Sequence, residues 1–76
     1  MIDTKLLKET IESKGVTKKW LAKEIGVSRP RLYKIMEGID VSISEVERVS
    51  NVLGLSPSLR NKIFFAQRVE YKSTPE

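Results

Sequence analysis

The 76-residue chain is predicted to be an all-α protein, a compact bundle of five short helices. Three observations lead to this prediction. Apolar residues recur at spacings of three and four, which places them on one face of a helix. The β-branched residues follow the same spacing instead of alternating, so no strand is expected. A Ser, Thr or Asp that can cap a helix precedes each segment, and Gly follows most of them.

The first two helices are predicted over residues 4–14 and 18–25. Each begins after a side chain that can accept a hydrogen bond from the first turn, and each ends at a glycine. The caps are Asp3 and Thr17, and the glycines are Gly15 and Gly26. The residues expected on the inner faces are Leu7, Ile11, Leu21, Ala22 and Ile25.

The next two helices begin at clear capping signals. Ser28 precedes a helix over residues 29–36, with Pro30 in its first turn, where a missing N–H costs little. The fourth helix begins at Ser42, because "SISE" is a capping box in which Glu45 has a capping role alone. Gly38 and Gly54 end these two helices. Their expected inner residues are Leu32, Ile35, Met36, Ile43, Val46, Val49 and Leu53.

The fifth helix starts at "SPS", with Ser56 as the cap and Pro57 first in the helix. It is expected to reach Val69 or Tyr71, within one domain over residues 1–71 and before a flexible tail over 72–76. Its inner residues are Leu59, Ile63 and Ala66. Phe64 and Phe65 are adjacent, so their rings point about 100° apart. Either one ring is core and the other covers the first helix, or one ring belongs to a partner surface with Val69 or Tyr71.

Composition excludes several classes of protein. The chain has no cysteine and no histidine, so zinc chemistry and the usual acid–base or nucleophilic machinery are not expected. We therefore predict neither an enzyme nor a bound cofactor or metal. No apolar run approaches the roughly 18 residues that a membrane span needs. Together with the charged N-terminus, this predicts a soluble intracellular protein without a membrane partner.

Positive charge is concentrated in one part of the chain. The net charge is +4, and residues 14–38 alone contribute +5, from seven Lys and Arg against two Glu. This segment contains the second and third helices, which "IGVS" joins through a tight turn. A small Ala22, a glycine at Gly26 and an apolar Val27 at the elbow are what two closely crossing helices need. The outer face of the third helix is then free to enter a major groove about 12 Å wide.

The sequences "GVTKKWLAKEIGVSRPRLYKIMEG" and "SISEVERVSNVLGLS" resemble the Cro/CI-type helix-turn-helix family of bacterial and phage transcriptional regulators, over residues 7–59. The resemblance implies phosphate contacts near the start of the second helix and base contacts from the third, which would be the recognition helix. The implied DNA-binding residues are Thr17, Lys18, Arg29, Pro30, Arg31, Tyr33 and Lys34. Arg29 and Lys34 suit guanine, and Pro30 offers apolar contact with a thymine methyl.

One loop departs from the family pattern. After the recognition helix the chain reads "EGIDVS", with Glu37 and Asp40 where many members carry basic or amide side chains. This loop loses phosphate contacts and adds repulsion, so a lone monomer is expected to bind DNA weakly.

Two functions remain open from the sequence. The first is a sequence-specific DNA-binding regulator of a phage genetic switch, which binds a double-stranded operator, commonly as a homodimer. The second is a protein-binding modulator, an antirepressor or co-repressor, that forms a heterocomplex with the cognate repressor. Trp20 is expected to cover the side of the core or, failing that, to contact a partner or phosphate. The partner-binding candidates are Trp20, Phe64, Phe65, Val69 and Tyr71.

Overall fold

Five α-helices form the fold, which a computed structural model describes for residues 2–65. The helices are α1 (Thr4–Ser13), α2 (Lys18–Ile25), α3 (Arg29–Met36), α4 (Ile43–Leu53) and α5 (Pro57–Phe64). No strand occurs in this part of the chain, which confirms the all-α prediction. None of these helices has the length and apolar character needed to cross a bilayer.

The helix boundaries differ from the predicted ones by a residue in two places. α1 ends at Ser13 with Lys14 as its C-cap, and α4 begins at Ile43 because Ser42 is its N-cap. α5 ends at Phe64. The predicted continuation to Val69 or Tyr71, the inner position of Ala66 and the domain limit at residue 71 lie outside the described residues.

Every helix starts at the predicted capping side chain. In each case the side-chain oxygen accepts a hydrogen bond from the backbone N–H three residues later, at 3.0–3.2 Å. These bonds satisfy donors that the first turn of a helix leaves without partners. The capping residues are Asp3, Thr17, Ser28, Ser42 and Ser56.

The core forms where the apolar stripes of the five helices meet. α2 packs against α3 and α4, and α1 packs against α3 and α5. The backbone N–H of Asp3 also donates to the carbonyl of Ile63 at 2.7 Å, which joins the start of the chain to α5. The buried apolar residues are Leu7, Ile11, Leu21, Ala22, Ile25, Leu32, Ile35, Met36, Val46, Val49, Leu53, Ile63 and Phe64.

Two predicted inner residues lie elsewhere. Leu59 is only half-buried and packs against the edge of the core. Ile43 was placed in the inner stripe of α4, but 64% of it is exposed. It is the first residue of that helix, and helical side chains tilt towards the N-terminus, so its side chain projects beyond the packed turns.

The exposure of Ile43 supplies a matched test of the core. We expect Ile35→Val to lower the free energy of unfolding by about 0.5–1.5 kcal/mol, because Ile35 is 1% exposed and a deleted methyl leaves a gap. The chemically identical change Ile43→Val removes a methyl already in water and should have almost no effect. Urea unfolding of both variants measures the difference. Equal losses would place Ile43 in the core.

Candidate nucleic-acid interface

A tight turn sets the angle between α2 and α3. Gly26 ends α2 with φ +87°, a left-handed conformation that costs glycine little. The N–H groups of Gly26 and Val27 both donate to the carbonyl of Ala22, at 2.9 and 3.0 Å. Ser28 then caps α3 immediately. The chain therefore passes from α2 to α3 within three residues, and the two helices pack against each other.

The outer face of α3 carries the side chains that were predicted to meet DNA. Leu32, Ile35 and Met36 are buried, whereas Arg29, Pro30, Tyr33 and Lys34 are exposed. Arg29 and Tyr33 are four residues apart, as are Pro30 and Lys34, so these two pairs together cover one broad exposed face of the helix. Thr17 and Lys18 are also exposed, and the Thr17 hydroxyl is occupied by its cap with Trp20 N at 3.0 Å.

A shallow groove connects the start of α2 with the outer face of α3. It encloses about 270 Å³, and Lys18 and Tyr33 both line it. Ile11 and Met36 lie among its lining residues, beside an ion pair between Lys8 of α1 and Glu37, whose Nζ and Oε2 atoms are 3.0 Å apart. The groove brings together one candidate from each helix of the motif.

Three cations on this surface have no partner in the described part of the chain. The side chains of Lys18, Arg29 and Lys34 make no hydrogen bond or ion pair with any residue from 2 to 65. Free cations on one surface attract a polyanion without first having to break internal contacts.

Arg31 occupies a different position from the other cations of α3. Its Nε and Nη2 atoms donate to the two carboxylate oxygens of Glu45, at 2.9 and 2.7 Å. Its Nη2 and Nη1 also donate to the backbone carbonyls of Asp40 and Ile39, at 2.6 and 3.4 Å. The Arg31 guanidinium is therefore already bonded to other parts of the chain, and its contact with DNA stays a prediction.

Glu45 does more than cap α4. Its Oε1 accepts from the N–H of Ser42 at 3.0 Å, which completes the capping box, and it also accepts from Arg31. The hydrogen bonds from Arg31 and then Ser42 lower the pKa of Glu45 from 4.5 to about 2, against the opposing effect of burial. The same pair raises the pKa of Arg31. Sequence reasoning assigned Glu45 a cap alone, since nothing local relates it to a residue fourteen positions earlier.

The acidic loop is partly neutralised from within the chain. Glu37 pairs with Lys8, and the negative charge of Asp40 interacts favourably with the nearby Arg31. The repulsion expected from this loop is therefore weaker than the sequence alone suggested. Residues 37–42 still contain no Lys or Arg that would hold a phosphate.

Arg48 of α4 is a further structural residue that the sequence did not identify. Its Nη1 donates to the carbonyl of Ile25 at 3.2 Å, and its Nη2 lies 3.4 Å from the Ser44 hydroxyl. The carbonyls at the end of a helix carry partial negative charge, so a cation there is favourable. Arg48 thus ties the end of α2, next to the motif's turn, to α4.

The partner-binding candidates have different surroundings. Trp20 is 43% exposed and lies outside the core cluster, so the expectation that its ring covers the core is not met. Phe64 is 4% exposed and belongs to the core, while Phe65 is half-buried against it. α5 ends at Phe64, and Phe65 is its C-cap with φ −132°, so the helical spacing of about 100° between the two rings does not apply here. Val69 and Tyr71 lie outside the described residues.

Two helices joined by a tight turn, with an exposed basic second helix, define a helix-turn-helix protein. The helix-turn-helix family model matches residues 7–59, most of the chain. The protein belongs to the Cro/CI-type helix-turn-helix family and is a DNA-binding regulator of that type; the family is one of regulators, not enzymes. Comparison with curated proteins and with solved structures gave no match.

The lowered pKa of Glu45 predicts an acid-dependent loss of stability. Glu45 binds its proton less readily in the folded chain, so the charged carboxylate stabilises the fold fully above pH 4.5. This contribution should disappear as the pH falls from 4.5 to about 2. Glu45→Gln cannot titrate, and its free energy of unfolding should therefore fall less over that range than that of the wild type.

Urea unfolding at several pH values between 2 and 7 measures this difference, and Glu47→Gln is the matched control. Glu47 is exposed on the same helix and forms no ion pair within residues 2–65. Parallel acid profiles for the wild type and Glu45→Gln would show that the Arg31 pair contributes no pH-dependent stability.

Proposed function

We propose that this protein is a sequence-specific transcriptional repressor that places α3 in the major groove of an operator. The observation that carries the proposal is that three exposed cations of the motif, Lys18, Arg29 and Lys34, have no side-chain partner within residues 2–65. An α-helix fits the groove, and Arg and Lys suit the O6 and N7 acceptors of guanine. Bound there, the protein would block transcription sterically. A role in a phage genetic switch rests on the family resemblance.

Each candidate residue has a separate proposed role. Thr17 and Lys18 would lie against the phosphates, since they begin α2 and are exposed. Arg29 and Lys34 would read bases, Pro30 would contact a thymine methyl, and Tyr33 would donate to a phosphate. Pro30, Tyr33 and Lys34 share the exposed face of α3 with Arg29.

The small number of free cations favours binding as a homodimer. Phosphate neutralisation supplies most of the sequence-independent affinity, and one copy offers few cations to DNA. A second copy doubles the number of cations that contact the DNA. Two copies related by a two-fold axis would occupy half-sites about 34 Å apart, one turn of the DNA helix.

The roles of Arg29 and Lys18 can be separated by their effects on binding. Arg29→Ala should weaken binding to a selected operator by about 1–3 kcal/mol and relax selectivity at one base pair. Lys18→Ala should weaken all duplexes alike and make the slope of log K against log salt shallower by about one unit. Titration of labelled duplexes at several salt concentrations measures both effects. Lys5→Ala, at an exposed position of α1, is the control. Operator affinity unchanged in both variants would refute the base-reading role.

A second candidate function is modulation of another regulator by direct contact. Exposed aromatic side chains on the motif favour it: Trp20 is 43% and Tyr33 is 47% exposed. Large exposed aromatics are enriched at protein interfaces. On this hypothesis the partner would be the cognate repressor of the same switch, and its contact with α3 would compete with DNA.

Sedimentation with and without the repressor encoded next to this protein separates the two functions. If Trp20 is an interface anchor, Trp20→Ala should weaken the heterocomplex by about 2 kcal/mol or more. Because 43% of Trp20 is exposed and the residue lies outside the core cluster, the same substitution should destabilise the fold less than truncation of a core residue. Ile43→Ala removes an exposed side chain elsewhere and is the control. A protein that sediments identically with and without the repressor does not have this function.

A further inference from the structure

The cations of α3 fall into two groups. Arg29 and Lys34 are exposed and have no side-chain partner within residues 2–65, whereas Arg31 forms four hydrogen bonds to other parts of the chain. Basic residues on one helix would ordinarily be expected to act together on a polyanion. The geometry around Arg31 indicates that it acts on the protein instead.

The four bonds of Arg31 reach two separate elements. Two run to the carboxylate of Glu45 in the first turn of α4, and two run to the carbonyls of Ile39 and Asp40 in the loop between α3 and α4. A guanidinium is a planar, rigid fork, so paired bonds fix direction as well as distance. Rotating α3 about its axis would break bonds to both elements.

The acceptor side of this arrangement is also fixed. Oε1 of Glu45 accepts from Ser42 N at 3.0 Å, and the carboxylate is mostly buried, with 13% of the side chain exposed. Asp40 has φ +50°, a left-handed conformation that non-glycine residues adopt rarely. Its carbonyl receives the shortest of the four bonds.

We infer that Arg31 is a positioning residue, which through Glu45 and the two loop carbonyls fixes the orientation in which α3 presents Arg29 and Lys34, and that it does not itself contact DNA. The inference rests on the proposed function, DNA binding through α3. It assigns Glu45, an acidic residue, a favourable effect on binding to a polyanion. From its charge alone, Glu45 would be expected to weaken binding to a polyanion.

Three substitutions test this role. Arg31→Met removes the fork but keeps an unbranched side chain of similar reach. Arg31→Lys keeps the charge but offers a single nitrogen, which cannot serve both carboxylate oxygens and the loop. Glu45→Gln keeps the shape but leaves one acceptor oxygen, so the paired bonds are lost. Glu47→Gln, exposed on α4, is the control.

The probe is a duplex that the wild-type protein selects from a random-sequence pool, compared with a scrambled duplex of the same length. Binding is titrated at several salt concentrations, at a temperature where circular dichroism shows every variant folded. We expect Arg31→Met, Arg31→Lys and Glu45→Gln each to weaken binding to the selected duplex by roughly tenfold, equivalent to about one base contact. Scrambled-duplex affinity and the salt slope should stay at wild-type values.

Three results would overturn the inference. Loss of affinity for both duplexes in Arg31→Met, with a salt slope shallower by about one unit and rescue by Arg31→Lys, would make Arg31 a phosphate contact. Tighter binding by Glu45→Gln would show that the ion pair with Glu45 only keeps the Arg31 guanidinium from binding DNA. If folded Arg31→Met discriminates between the two duplexes as the wild type does, but unfolds at a lower midpoint, then Arg31 contributes only to stability.

The wild-type selection separates this inference from the proposed function. A wild-type protein that enriches no sequence refutes the proposed function, and with it any positioning of α3 for DNA. Enrichment by the wild type, followed by unchanged selectivity in the variants, refutes the positioning role of Arg31 alone.

Discussion

The helix that we propose reads DNA, α3, is only eight residues long, so its own backbone hydrogen bonds cannot hold it in place. Isolated helices shorter than about 12–15 residues are marginal in water. The order of α3 therefore depends on what surrounds it: the Ser28 cap, the burial of Leu32 and Ile35, and the bonds from Arg31 to Glu45. The surface of α3 that we propose binds DNA is thus held in place by tertiary contacts.

The same contacts determine which charges remain for a ligand. Glu37 and Glu45 lie close to α3, and each is paired with a cation, Lys8 and Arg31 respectively. The exposed Lys8–Glu37 pair contributes little stability, but it reduces negative potential beside the groove. The Arg31–Glu45 pair is more buried and more completely bonded. Pairing the acidic side chains internally leaves the outer cations of the motif available.

The features that the sequence predicted correctly join residues close together along the chain, and the contacts that it missed join residues far apart. Caps such as Thr17 and Ser42 act over three residues, and the core stripes over three or four, so local pattern locates them well. The Lys8–Glu37, Arg31–Glu45 and Arg48–Ile25 contacts span 29, 14 and 23 residues. Their partners become neighbours only after the helices pack. The errors at Ile43 and Trp20 have a related cause, because a helical period places an apolar residue on a face without showing whether another element covers it.

A polar link between α3 and α4 achieves something that an apolar one would not. Apolar side chains of similar size can often replace a buried ion pair without loss of stability, so stability alone does not explain an arginine at this position. Apolar contacts are non-directional, and α3 could rotate slightly against them at little cost. The guanidinium fork accepts one orientation, and Glu45 is held by its own cap to Ser42. In a chain of 76 residues with a thin core, such a directional contact sets the angle of a short helix that packing alone would leave less defined.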